Sequence, residues 1–155
     1  MTNCKINMQI HRKHNYISNA TKTKFLGLIF DDTLSWKLHI DQVIKRMSSA
    51  SYALRFIKYS LPIETLKIIY FAHIHTITSY GIIFWGNSSS AKKVFLLQKK
   101  IIRIITNARP RDSCREIFKN MQIMMLYSQY IHSFSILSDD RSKASSKTIP
   151  PHSAI

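Results

Sequence analysis

The sequence predicts a mainly α-helical domain, with a small antiparallel β element at its N-terminal end and a disordered C-terminal tail. Three observations carry that expectation. Only three glycines and four prolines occur in 155 residues, too few breakers for a many-turned β fold. Apolar residues recur at three- and four-residue steps through most of 40–137, the period of a helix with one buried face. A composition 45% hydrophobic and 11% aromatic gives a chain of this length enough apolar surface for one folded domain. The expected division is short strands and a strand turn in 1–36, a helical bundle in 37–137 and a tail in 138–155.

Charge narrows the partners. Lys and Arg number 23 against 8 Asp and Glu, a formal net charge of +15 with a pI near 10.1. That excess points to a polyanion, RNA or DNA. Cys4 and Cys114 stand alone without metal-ligand spacing, so neither a disulfide framework nor a zinc site is expected, and reduced thiols suit an intracellular, cytoplasmic or nuclear setting. Residues 1–10 lack the apolar core of a signal peptide. The most membrane-like window, 66–85, contains Lys67, His73, His75 and Tyr80-Gly81, which favours a buried helix over a span and excludes a membrane partner.

Taken in order, Ile6, Met8 and Ile10 alternate with polar residues as a half-buried strand does. The apolar run 25–30 is expected to be a second strand paired with it, with Lys22 and Lys24 as edge charges or phosphate contacts. Asp31-Asp32 looks like the metal-binding pair of a polymerase, but only 30 residues precede it. The expected role is instead a strand end and a local Asx-type turn. Trp36 and His39 are expected to be structural, closing the strand over the first helix.

Ile40, Val43, Ile44, Met47, Ala50, Leu54 and Ile57 form one stripe of that helix. Pro62 and Glu64 open the next. It is apolar on most of its circumference through 79, which places it in the middle of a bundle. His73 and His75 are two apart and cannot chelate one metal from a helix. Tyr80-Gly81 and Trp85-Gly86 read as a helix junction with aromatic plugs, all four residues structural.

The helix Ala91–Thr106 is the functional candidate. Val94, Leu97, Ile101, Ile104 and Ile105 share a face, and Lys92, Lys93, Lys99, Lys100 and Arg103 gather opposite. With Arg109 and Arg111 these make seven basic residues, with no acid between Lys92 and Arg111. A merely solvated face normally interleaves acids. Ser113 and Glu116 have capping-box spacing for a short helix through Lys119. Residues 127–137 read as a last helix, and from Ser138 the composition turns to Ser, Asp, Lys and Pro without periodicity.

Four ordered stretches carry a resemblance. They are Phe25-Leu26-Gly27 with Asp31, Leu34, Trp36 and His39-Ile40; Tyr80-Gly81 with Trp85-Gly86; Leu97-Gln98 with Arg103, Ile105 and Thr106; and Ile117-Phe118 with the apolar residues after it. Together they resemble the reverse transcriptases of non-LTR (LINE-like) retrotransposons, in the segment after the catalytic palm. The resemblance spans about 22–137.

It implies an RNA-directed DNA polymerase whose palm would be the native neighbour of this chain. Phe25, Leu26 and Gly27 would then form a primer-contacting strand turn, and the basic helix would belong to a thumb that tracks nucleic-acid backbone. The family's aromatic-Ala-Asp-Asp box has no counterpart here. The chain is therefore expected to be a C-terminal fragment without catalytic residues of its own and with no cofactor, Mg2+ being implied only for the full-length family. The alternatives are a stand-alone basic helical RNA- or DNA-binding module, and a helical interaction protein or relic with no nucleic-acid role. Self-association through exposed apolar surface is the further expected contact.

Overall fold

The computed structural model describes residues 11–12, 15–16, 21–109 and 111–145, with side chains described for 21–109 and 111–141. The expected strand at 5–10 lies outside them, as do Cys4 and residues 146–155. Two strands, β1 (His11–Arg12) and β2 (Asn15–Tyr16), pair antiparallel. Next come β3 (Lys22–Phe25) and β4 (Leu28–Asp31), also antiparallel, with Phe25 opposite Leu28.

This second hairpin corrects the single strand expected at 25–30. The chain reverses inside that apolar run because Leu26 and Gly27 both take positive φ, 47° and 80°, the backbone of a two-residue hairpin turn whose twist matches its strands. Gly27 is a turn residue, not a break in a strand, and the partner of β4 is β3. The strand then ends at Asp31, whose carbonyl accepts the Leu34 N–H at 3.0 Å. The Asp31 carboxylate accepts the hydroxyls of Thr33, at 3.1 Å, and of Ser35.

Helices follow: α1 (Lys37–Ile57), α2 (Ile63–Ile69), a π-helical segment (Tyr70–His75), α3 (Thr76–Ser79), α4 (Ile82–Trp85), α5 (Ala91–Thr106), α6 (Cys114–Asn120) and α7 (Leu126–Ser145). The mainly helical class is as expected. In α1 the residues Ile40, Val43, Met47, Ala50 and Leu54 are buried and Ile44 and Ile57 half-buried. Its most extensive helix contact is with α5, and α3 and the π segment pack on it as well. The core is centred on Ile40, Met47, Tyr70, Ile74, Trp85, Ile101, Ile102, Phe118 and Leu126.

Residues 63–79 form one continuous helical path, since Tyr70 and Thr76 at the segment joints keep right-handed helical dihedrals. It does not lie in the middle of the bundle. Leu66, Tyr70, Ile74 and Thr78 are buried, whereas Ile63, Ile68 and Phe71 are exposed. A strict four-residue spacing drifts around an ordinary 3.6-residue helix, and a wider π turn holds it on one side. The apolar circumference read from the sequence therefore overstated the burial.

Two other boundaries move. Ser113 stands at the start of α6, but its side chain makes no capping hydrogen bond. The last helix runs Leu126–Ser145, past the expected start of the tail at Ser138. No Gly or Pro interrupts 126–145, so the backbone ladder continues even where the polar composition offers no core to pack on. Among the described residues, no helix is long and apolar enough to cross a membrane.

Candidate nucleic-acid interface

The centre of the buried face of α5 is occupied by Ala91, Val94, Gln98, Ile101, Ile102 and Ile105, while Leu97 and Ile104 lie half-buried on its flank. Opposite, Lys92, Lys93 and Lys100 are exposed, and Lys99 and Arg103 are half-buried. Lys99 places its ammonium 4.4 Å from the centre of the Phe95 ring, a cation–π contact that fixes the stem and leaves the charge on the surface. Arg103 Nη2 donates to the Asp112 carbonyl at 3.2 Å, while its buried Nε lacks a protein acceptor. Asn107 ends the helix in the left-handed region, φ 54°, and the Ala108 N–H returns to the Arg103 carbonyl at 3.1 Å. Arg109 and Arg111 are exposed beyond it. The Arg109 N–H donates to the Asp112 carboxylate at 2.8 Å, holding this stretch in a turn.

A residue that the sequence did not single out completes this end of the surface. Lys58, just after α1, donates to Asn107 Oδ1 at 2.7 Å. Lys58, Lys100, Arg103, Ile104, Asn107 and Ala108 line a cleft of about 340 Å³. Nothing local in the sequence marks Lys58; only the packing of α1 on α5 brings it to the basic helix, 49 residues away in the chain.

Gln98 explains how the basic face is held outward. Fully buried, its amide donates to the Tyr70 hydroxyl at 2.9 Å and the Met124 carbonyl at 3.0 Å, and its oxygen accepts the Leu126 N–H at 3.0 Å. Met124 also accepts from Gln129, whose oxygen accepts the Thr78 hydroxyl. One polar network thus ties α5 to the π segment, α3 and the start of α7. Burial pushes the Tyr70 hydroxyl up to about 12, so it stays neutral in this network.

At the other end of α1 the two aromatic-glycine stretches meet. Phe25 is 64% and Leu26 72% exposed at the hairpin tip, and the Tyr80 hydroxyl donates to the Leu26 carbonyl. A Cβ on Gly27 would lie 3.5 Å from the Tyr80 ring. A Cβ on Gly81, where φ is 62°, would lie 2.7 Å from a Leu28 methyl, so glycine lets the junction seat on β4.

Trp85 is fully buried and donates its indole N–H to the Tyr80 carbonyl at 3.0 Å. Gly86 admits the Tyr130 ring of α7. Trp36 lies between Phe30, His39 and Phe84, at ring-centre distances of 5.1, 6.3 and 6.1 Å. His39 is buried between Trp36 and Trp85, and burial, then Arg46, pushes its pKa below the usual histidine value. The hairpin turn packs over the first half of α1, where Gly27 lines a pocket with His39, Gln42, Val43 and Arg46, and the Lys58 cleft lies beyond the helix's other end.

Both hydroxyls of the Asp31 turn donate to one carboxylate oxygen, Oδ2, with Ser35 foremost in holding the pKa down, while Oδ1 has no protein donor. Among the described residues, no three His, Cys, Asp or Glu side chains converge. Comparison with protein-family models, curated proteins and solved structures finds no match for this chain.

Proposed function

We propose that the chain is a nucleic-acid backbone-binding helical domain, of the thumb-like kind that follows the palm in the reverse transcriptases of non-LTR retrotransposons. The observation that carries this reading is the α5 surface. Lys92, Lys93, Lys99, Lys100, Arg103, Arg109 and Arg111 occupy its outer side and its continuation without an intervening acid, backed by the helix's apolar side and the Gln98 network. Such a surface attracts phosphates by charge and releases their counterions, which requires no base readout. The family assignment draws its support from the order of the four resembling stretches. Polymerisation belongs to the resembled family; for this chain the proposed activity is binding, in the cytoplasm or nucleus.

The test is fluorescence anisotropy of labelled oligonucleotides titrated with the protein at several salt concentrations. Affinity falls steeply with salt, and changing Lys99, Lys100 and Arg103 together to Ala flattens the log–log slope by about 2–3, close to 0.9 for each duplex phosphate that the variant no longer neutralises. A shallow slope, or one the triple variant leaves unchanged, refutes the reading.

A further inference from the structure

The backbone-binding reading leaves the outer face of α1 unexplained. Tyr52 and Phe56 stand one turn apart on it, with Tyr59 just beyond the helix end. They are 64%, 63% and 80% exposed. These are not core residues left at a margin: α1 buries a different stripe through Ile40, Val43, Met47 and Leu54. The Tyr52 and Phe56 rings sit 4.8 Å apart in an edge-to-face pair, and the Lys58 ammonium lies 4.7 Å from the centre of the Tyr59 ring. No acid occurs between Asp41 and Glu64, so Lys45, Arg46, Arg55 and Lys58 keep this helix cationic as well.

Lys58 joins the aromatic face to the basic helix. Its one ammonium touches both the Tyr59 ring and Asn107, and it lines the cleft with Lys100 and Arg103. A cationic cup therefore adjoins the exposed Tyr59 ring, and the exposed Tyr52–Phe56 pair precedes it on α1. In a duplex the bases are already stacked on one another, and exposed rings gain nothing from them. A single strand presents bases whose faces are free, and stacking them on protein rings beside a cationic groove is the physical basis of sequence-tolerant single-strand binding.

We infer that the joint between the C-terminal ends of α1 and α5 is a single-stranded nucleic-acid seat. A backbone phosphate occupies the cup of Lys58, Lys100 and Arg103, and successive bases stack on Tyr59, Phe56 and Tyr52. The inference rests on the backbone-binding reading and adds to it the strandedness of the ligand and the residues that sense it.

The probes are a labelled oligothymidylate, which forms no duplex, and a labelled hairpin duplex, each titrated with the full chain. Tyr59→Ala and Phe56→Ala each weaken oligothymidylate binding by about tenfold and leave duplex binding and the salt slope unchanged. Phe56→Trp, which keeps a ring, retains the affinity. Lys58→Gln lowers the salt slope for the single strand by about 0.7.

Alanine variants that weaken both probes equally, or neither, overturn the inference. If Lys99, Lys100 and Arg103 to Ala weakens binding while the ring variants do not, the backbone-binding reading stands and this one falls; if neither probe binds, both fall. Sedimentation of the free protein adds the remaining outcome. A dimer that Tyr59→Ala or Phe56→Ala dissolves makes the aromatic face a contact between copies and overturns the single-strand seat.

Discussion

Replacing Gln98 by Leu tests the element that orients the basic helix. The two side chains are similar in size, so the change removes three hydrogen bonds with little change in volume. The Met124 carbonyl keeps its Gln129 donor, but the buried Leu126 N–H loses its acceptor and the Tyr70 hydroxyl its donor. Each orphaned group costs about 1–3 kcal/mol, and the added apolar burial returns part of it. The expected net loss is about 1–3 kcal/mol, which moves the urea midpoint down by roughly 1 M.

Denaturation followed by circular dichroism and tryptophan fluorescence measures it. Adding Tyr70→Phe separates packing from hydrogen bonding. With the hydroxyl already gone, Gln98→Leu costs less, and the cycle shows a coupling of about 0.5 kcal/mol or more. A Gln98→Leu protein as stable as the parent, or a strictly additive cycle, refutes the network as a source of stability.

The remaining expectations concern the other end of α1. His39 and His75 both have pKa values pushed below 6.5 by burial, so the unfolded chain takes up protons at higher pH than the folded one. Stability from this source is present above pH 6.5 and lost as pH falls through the lower folded values; the urea midpoint therefore drops between about pH 7 and pH 5, and His39→Gln flattens that profile. Gly86→Ala would place a Cβ 2.6 Å from the Ile82 carbonyl and 2.7 Å from the Tyr130 ring, and calorimetry should show a melting temperature lower by about 2–12 °C. Leu26→Asn supplies the residue that the first position of this turn favours and raises stability by about 0.5–1 kcal/mol in the same denaturation assay. A fall in stability would mean that the exposed leucine packs on something.

The parts legible in the sequence were those governed by one helix and its period. The stripe of α1 and the cationic side of α5 follow from residue spacing alone, because a helix maps sequence separation directly onto a face. The hairpin was misread because Phe25, Leu26 and Leu28–Phe30 are all apolar. In such a run only the dihedrals at Leu26 and Gly27 separate one strand from two, and leucine is an uncommon first residue for that turn. The outward half of residues 63–79 was misassigned because composition cannot report a π turn. Gln98 was visible only as part of a family-like Leu-Gln pair; its burial depends on Tyr70, Met124 and Leu126, which converge from three other segments. Lys58 left no sequence signal, since its relation to Asn107 exists only after α1 packs on α5.

The two ends of α1 meet solvent differently, and the difference bears on function. Its N-terminal end is held by aromatic contacts: Trp36 among Phe30 and Phe84, His39 buried between two indoles with its pKa lowered by that burial and by Arg46, and Tyr80 fastened to the hairpin. There Phe25 and Leu26 are exposed at the hairpin tip, with the exposed Lys22 and Lys24 on the same hairpin and Lys37 at the helix start, so apolar and cationic groups share that surface. Its C-terminal end carries Arg55 and Lys58 with open rings between and beyond them, against the basic helix. Both ends therefore carry cations, and what sets the C-terminal end apart is its junction with the basic helix, where Lys58 meets Asn107 and the Tyr59 ring. On that division, substitutions at Phe25 or Leu26 leave oligonucleotide affinity and its salt dependence intact, whereas those at Lys58, Lys100 or Arg103 change both.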